Sequence, residues 1–190
     1  EYEKAFRKAI NEEIKEEKIN LVTVTRLVKQ KGIDRLIKLH SKLIKQGLNH
    51  EIFVIGDGPE KENLKNQIKE ENVKNTFHLL GAKQNPYPYI KHANYFCLLS
   101  YFEGYGMVLE EAKILNKKII ITDTAAREAV NGYNKAIIVE NEEEKIYQGL
   151  EKIIKNELEK NETIDKNEKQ EEFIYNNSNI INEIQKLVGE

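Results

Sequence analysis

The sequence has 190 residues, 39% of them hydrophobic and 33% charged, and its 30 Lys and Arg against 32 Asp and Glu leave a formal net charge of −2. That length suits one well-packed domain, and the balanced charge argues against a general nucleic-acid binder and against an acidic disordered tail. A single cysteine, Cys97, excludes an intrachain disulfide and fits a cytoplasmic setting. No apolar run approaches the roughly 18 residues of a membrane span, and no signal peptide is visible. The one methionine is Met107, so Glu1 is not a translation start and the chain is expected to be a piece of a longer protein.

Residues 1–18 are rich in Glu and Lys, with Tyr2, Phe6, Ile10 and Ile14 at steps of four, the stripe of an amphipathic lead helix or linker. Ile19 to Thr25 is β-branched and reads as a strand. Gly32 to Gln46 carries apolar residues at helical spacing, and Gly47 ends that helix. Glu51 to Ile55 is a second strand, closed by Gly56-Asp-Gly-Pro59, and Pro59 opens a polar helix to about Glu71. Thr76 to Leu80 is a third strand ending at Gly81, followed by the Asn85-Pro-Tyr-Pro turn and a short helix near His92. Tyr95 to Leu99 is a strongly apolar strand, Ser100 to Gly106 a loop and Met107 to Leu115 a helix. Lys118 to Thr122 is a strand, Ala125 to Val130 a short helix and Ala136 to Val139 a last strand. A helix follows from Glu142 to about Lys160, and after a charged break another from about Lys169.

Strand–helix alternation of this kind predicts parallel pairing through right-handed crossovers, and the continuously apolar strands predict a sheet covered on both faces. The expected architecture is one doubly wound, Rossmann-like α/β domain at 19–160, flanked by 1–18 and by a C-terminal helix within 161–190. Six of the ten glycines, Gly32, Gly56, Gly58, Gly81, Gly104 and Gly106, follow predicted strands. Ligands of open α/β sheets bind beyond the carboxyl ends of the strands, so the set points to a ligand cleft there, although plain turn chemistry would account for any one glycine. A phosphate-loop motif and G-x-G-x-x-G are both missing. The four histidines are scattered without metal-ligand spacing, and no two of the four aspartates form an Asp-x-Asp pair.

The segment Ser100 to Ala112 is the most informative. Glu103 lies in the loop after a buried strand, and Glu111 lies eight positions later in the following helix. Gly104-Tyr105-Gly106 bends the chain into the helix start at Met107 and Val108. A helix start suits a phosphate, and carboxylates beside it accept hydrogen bonds from sugar hydroxyls, so a nucleoside diphosphate carrying a sugar fits the whole segment.

Glu103-x7-Glu111 resembles the E-x7-E motif of the family 4 retaining glycosyltransferases. Val24-Thr-Arg-Leu-Val-Lys-Gln-Lys-Gly32 is similar to the family's opening "GRL…KG", Gly56-Asp-Gly-Pro59 to its "G-x-G-P", His78-Leu-Leu-Gly81 to its "FLG", and Lys118 to Asp123 to its "KPVVATD". These segments come in the family's order over about 20–140. The resemblance implies one half of the two-domain GT-B architecture, the C-terminal half that binds the nucleotide sugar. The acceptor domain would then be the missing N-terminal part of the same protein.

By the same resemblance, Arg26 and Lys31 neutralise the diphosphate, Glu103 holds sugar hydroxyls and Glu111 holds the ribose. Gly81 and Ala82 lie near the base, and Gly56, Gly58, Gly104, Tyr105, Gly106, Met107 and Val108 complete the donor site. The expected donor is a UDP-linked hexose, with no cofactor and no metal. The implied enzyme is a cytoplasmic hexosyltransferase of bacterial surface polysaccharide or glycolipid synthesis, peripheral to the membrane only through the full-length protein, and this piece alone is expected to be inactive. Thr124-Ala-Ala-Arg-Glu128, Lys135 and Asn116-Lys117-Lys118 depart from the family's glycines and proline. The competing readings are a GT-B sugar-nucleotide epimerase and a non-catalytic nucleotide-binding or flavodoxin-like interaction domain.

Overall fold

Short β-branched runs separated by glycine and asparagine turns cannot bury themselves, and in the computed structural model, which describes residues 18–161 and 163, they pair into one sheet. Six strands are present: β1 Asn20–Val24, β2 Glu51–Ile55, β3 Phe77–Gly81, β4 Tyr95–Leu98, β5 Lys118–Thr122 and β6 Ala136–Val139. All pair in parallel, in the order β3-β2-β1-β4-β5-β6. Winding starts at β1, runs outward to β3, then returns to the other side of β1, so strand order reverses between β1 and β4. This is the doubly wound, Rossmann-like order.

The helices are α1 Ile33–Lys45, α2 Lys61–Glu70, α3 Tyr87–His92 and α4 Val108–Ile114. A fifth, α5, begins at 143 and is helical through 161; the chain divides into two compact units after Ile154, and the second unit's described helical residues are 155–161 and 163. Right-handed crossovers put helices on both faces. One face packs Val22, Phe53, Phe96, Ile119 and their neighbours against Tyr89 and Ile90 of α3 and Leu109 and Ala112 of α4. The alternate residues Leu21, Ile52, Val54, Cys97 and Ile120 are equally buried, as period-two geometry requires of a sheet covered twice. Burial pushes the Cys97 thiol up to about 12, so it serves as a small apolar side chain.

Ala125–Val130, expected as a short helix, is a 3-10 helix. It joins adjacent parallel strands in a short connection, and the tighter i→i+3 bond from Arg127 N to Thr124 O (3.0 Å) suits that span. Lys29–Lys31, expected as loop, forms a second 3-10 turn that ends at Gly32 in the left-handed conformation. The lead helix within 1–18, apart from Lys18, and the C-terminal helix from about Lys169 lie outside the described residues.

At the amino ends of β2 and β3 sits a buried histidine pair. His50 Nδ1 lies 2.7 Å from the Leu48 carbonyl, an obligate acceptor, so Nδ1 carries the proton and Nε2 accepts. His40 Nδ1 then donates to His50 Nε2 (2.8 Å), and His40 Nε2 accepts from the Thr76 hydroxyl (2.8 Å). One direction of donation satisfies every member while both rings stay neutral. Burial pulls His40 down to about 2 and His50 down to about 4.

Both values lie below the unfolded value near 6.5, so the unfolded chain binds more protons as pH falls. Their contribution is intact above about pH 6.5 and is lost progressively towards pH 4. Urea unfolding of the chain should therefore show stability falling by several kcal/mol between pH 7 and pH 4.5, with a flatter profile in His50→Gln.

Candidate active site

The strand exits next to the order reversal build the site. After β1 the chain runs through Thr25 and Arg26 to the Lys29–Lys31 turn, and after β4 through Leu99 to Glu103. Lys31 Nζ meets Glu103 Oε2 at 2.5 Å, 72 residues apart in sequence. Both side chains are largely withdrawn from solvent, at 20% and 11% exposure, so the pair is less screened than a surface ion pair. Ser100 Oγ also donates to Glu103 Oε2 at 3.4 Å, and the Thr122 hydroxyl donates to the Ser100 carbonyl at 2.7 Å. The exits of β1 and β4 therefore meet at one carboxylate, and the end of β5 braces the backbone beside it.

Beside this pair lies a groove of about 510 Å³. One wall is the exits of β1 and β2, with Arg26, Gly56 and Asp57. Opposite stand Ala82, Lys83, Pro86 and Tyr87 after β3, and Met107, Val108 and Glu111 at the start of α4 close the end. Arg26 is exposed, and its guanidinium pairs with no carboxylate among the described residues. Helix α4 has only seven residues, and its Leu109 and Glu110 amides already bond Gly106 O (2.8 Å) and Met107 O (3.0 Å). The side-chain cations, more than the helix field, must supply positive charge here.

Of the residues singled out in the sequence, the groove gathers Arg26, Gly56, Ala82, Met107, Val108 and Glu111. Lys31 and Glu103 form the adjoining ion pair. Gly81 ends β3 with φ +71, facing open space. Gly58, Gly104 and Tyr105 do not line the groove. The Tyr105 hydroxyl donates to Glu110 Oε1 at 2.9 Å, and that bond together with the nearby carboxylate charge raises the phenol. At Gly106, φ is +68 and a Cβ would press on Leu98 and Leu109 at 3.2 Å.

Gly56 and Gly58 have a packing reason of their own. A Cβ on Gly56 would lie 1.8 Å from Thr25 O, and one on Gly58 would lie 2.3 Å from Leu27 O. The exits of β1 and β2 touch backbone to backbone, tied by Thr25 N to Ile55 O (2.9 Å) and Leu27 N to Asp57 O (3.0 Å). Sequence reasoning missed Lys83 and Tyr87, which sit in and beside the Asn85-Pro-Tyr-Pro turn; a tyrosine between two prolines beyond a strand end was the available signal. It also missed Gln30, Arg35, Tyr101 and Asn141, which hold the Glu103 loop through contacts that no local pattern announces.

The sequence model of the family "Glycosyl transferases group 1" matches residues 5–171. The chain belongs to that family. Among relatives of the glycosyl transferases group 1, it is 34% identical over 102 residues to an uncharacterized glycosyltransferase of Methanocaldococcus jannaschii, covering 54% of this chain and 25% of that protein. It is 31% identical over 140 residues to the Campylobacter jejuni N-acetylgalactosamine-N,N'-diacetylbacillosaminyl-diphospho-undecaprenol 4-alpha-N-acetylgalactosaminyltransferase, covering 72% of this chain and 38% of that protein. The chain thus spans between a quarter and two fifths of these relatives. Among solved structures, WaaG, a glycosyltransferase involved in lipopolysaccharide biosynthesis, superposes with a TM-score of 0.69 at 20% identity, over 78% of this chain and 42% of that one. Staphylococcus aureus TarM, solved as a mutant with UDP among its ligands, gives 0.67 at 18% identity, over 75% and 29%. The shared fold is one Rossmann-like half of a GT-B glycosyltransferase.

The two kinds of glycine should separate on substitution. Gly56→Ala, which forces a Cβ into the Thr25 carbonyl, is expected to remove more than about 2 kcal/mol of stability. Gly104→Ala, with nothing within 4 Å, should stay within about 0.5 kcal/mol of the parent. Thermal melts of the two variants measure the difference.

Proposed function

We propose that this chain is the donor-binding half of a metal-independent, retaining glycosyltransferase that moves a hexose from a nucleoside diphosphate, UDP first among candidates, to a glycan or lipid acceptor. The observation that carries the reading is the Lys31–Glu103 pair at the order reversal, beside a groove with Arg26 on one wall and Glu111 at its end. A diphosphate leaving group gains negative charge as its bond to the sugar breaks, and cations fixed in advance stabilise that charge. Arg26 and Lys31 take that role. Glu103, held by Lys31 and Ser100, accepts from sugar hydroxyls, and Glu111 accepts from the ribose. The backbone at Ala82, beside Gly81, meets the base.

In the transfer the C1–O bond to the diphosphate breaks, the acceptor oxygen bonds C1, and the acceptor hydroxyl passes its proton to the departing diphosphate. Two relatives are named for alpha transfer, the Campylobacter enzyme and the Bacillus subtilis poly(glycerol-phosphate) alpha-glucosyltransferase. An α-linked product from an α-linked donor is retention. TarM and the pneumococcal O-GlcNAc transferase GtfA were each solved with UDP, which supports a uridine donor. Names such as the amylovoran and capsular polysaccharide enzymes support a product in bacterial surface polysaccharide. Among the described residues no helix is long and apolar enough to cross a membrane. We assign acceptor binding to the remainder of a longer chain. Held without an acceptor against the donor carbon, this chain binds donor and does not transfer, since proximity supplies roughly 7–11 kcal/mol of such a barrier.

Calorimetry with UDP in EDTA should show binding, and strict metal dependence would overturn the metal-independent reading. Arg26→Ala and Lys31→Ala should each weaken UDP by about tenfold or more, and uridine much less, because a charge-assisted hydrogen bond contributes roughly 1.5–3 kcal/mol. In the full-length enzyme, Glu103→Ala should abolish most transfer with UDP affinity nearly unchanged, while Glu111→Ala should weaken UDP itself.

A further inference from the structure

Arg35 stands in the first turn of α1 and is 3% exposed. Its guanidinium pairs with no carboxylate among the described residues. Nη2 donates to the Leu99 carbonyl at 2.7 Å and Nη1 to Asn141 Oδ1 at 2.9 Å. Nε is buried with no partner. The guanidinium also stacks on the Tyr101 ring, 4.2 Å from its centroid. Asn141 Nδ2 completes the ring of contacts by donating to the Tyr101 carbonyl at 2.8 Å. Arg35 and Asn141 together thus grip the first and third residues beyond β4, just ahead of Glu103.

As a device for stability this is a poor choice. A buried charge carries a desolvation cost that neutral acceptors only partly repay, and an orphaned N–H adds to it. Hydrocarbon of the same length would cover α1 better. What the guanidinium offers is a flat, rigid fork that fixes two directions at once. Few other groups could reach this backbone, because α1 starts so close to it that a Cβ on Gly32 would lie 2.5 Å from Leu99 O. The outer side of the loop is fastened separately, by Tyr101 N to Gln30 O (2.9 Å) and Gln30 Nε2 to Phe102 O (3.1 Å).

We propose that Arg35 is a positioning residue for glycosyl transfer: with Asn141 it fixes the β4 exit so that Glu103 meets the sugar in one orientation. The inference rests on the donor-site reading above and acts on the sugar side of that site. Arg35 touches neither the groove nor the nucleotide residues.

The test uses the full-length enzyme with Arg35→Met, which keeps length and burial, Arg35→Lys, Asn141→Ala, Glu103→Ala and the double variant Arg35→Met with Glu103→Ala. Arg35→Met should lower kcat by about tenfold to a hundredfold, the scale of a misplacement near 1 Å, with the UDP Kd within about twofold and at most a modest fall in Tm from the Leu99 carbonyl that loses its donor. Arg35→Lys should recover part of the rate. Asn141→Ala should give the same split between kcat and Kd, which keeps the proposal open to refutation if Arg35→Met does not fold. The double variant should be no slower than Glu103→Ala, because coupled residues do not add. An unchanged kcat in Arg35→Met or Asn141→Ala, losses that multiply in the double variant, or a kcat loss matched by UDP affinity and Tm would overturn it. Glu103→Ala lowering kcat while Arg35→Met does not refutes the role of Arg35 alone, whereas full activity in Glu103→Ala overturns both readings.

Discussion

The reversal of strand order between β1 and β4 is the constraint from which the site follows. Chains leaving adjacent parallel strands at such a point turn away from each other, so a crevice opens between them that no local sequence choice could fill. The residues of the proposed chemistry follow those two exits: Arg26 and Lys31 after β1, Glu103 and, in the next helix, Glu111 after β4. The middle of the sheet has no room for function, because β1, β2, β4 and most of β5 are buried on both faces. At the carboxyl edge the charges of the exits are sorted. A cation from one exit meets a carboxylate from the other, and Arg26, without a carboxylate partner among the described residues, is left to line the groove.

The strands were legible because β-branched runs bounded by Gly, Asn and Pro leave few alternatives: the expected spans 51–55, 118–122 and 136–139 are the observed β2, β5 and β6. Glu103 and Lys31 were legible as motif members, yet their contact was not, since nothing in two segments 72 residues apart encodes a distance. The glycines show a second limit. Gly56 and Gly104 look alike in sequence, yet one is wedged on a carbonyl and the other faces open space. Arg35 shows a third. On a helical wheel it falls beside Lys42 on the polar flank of the apolar stripe and reads as a surface charge, and only the sheet exit and the loop after β6 supply its partners.

Polarity along the strands also divides the molecule. Helices that run back over a parallel sheet end at its amino edge, where their terminal carbonyls gather. Lysines collect there: Lys117 Nζ donates to the Lys91 carbonyl at the end of α3, and Lys135 Nζ to Asn116 beyond α4. Burial and the nearby Lys118 and Lys135 lower Lys117. This is ordinary helix-end chemistry, and it separates structural cations at one edge from the cations at the cleft edge.

The two walls of the groove differ in what they are made of. On the β1–β2 side, beneath the Arg26 and Asp57 side chains, main chain is pressed on main chain, with Gly56 seated on the Thr25 carbonyl. On the far side the surface is the side chains of Ala82, Lys83 and Tyr87, carried by a turn. Mutational drift can rewrite the second wall and hardly touch the first. Diversification of what the groove accepts is therefore channelled into a handful of positions after β3, and a library meant to retune its selectivity belongs there.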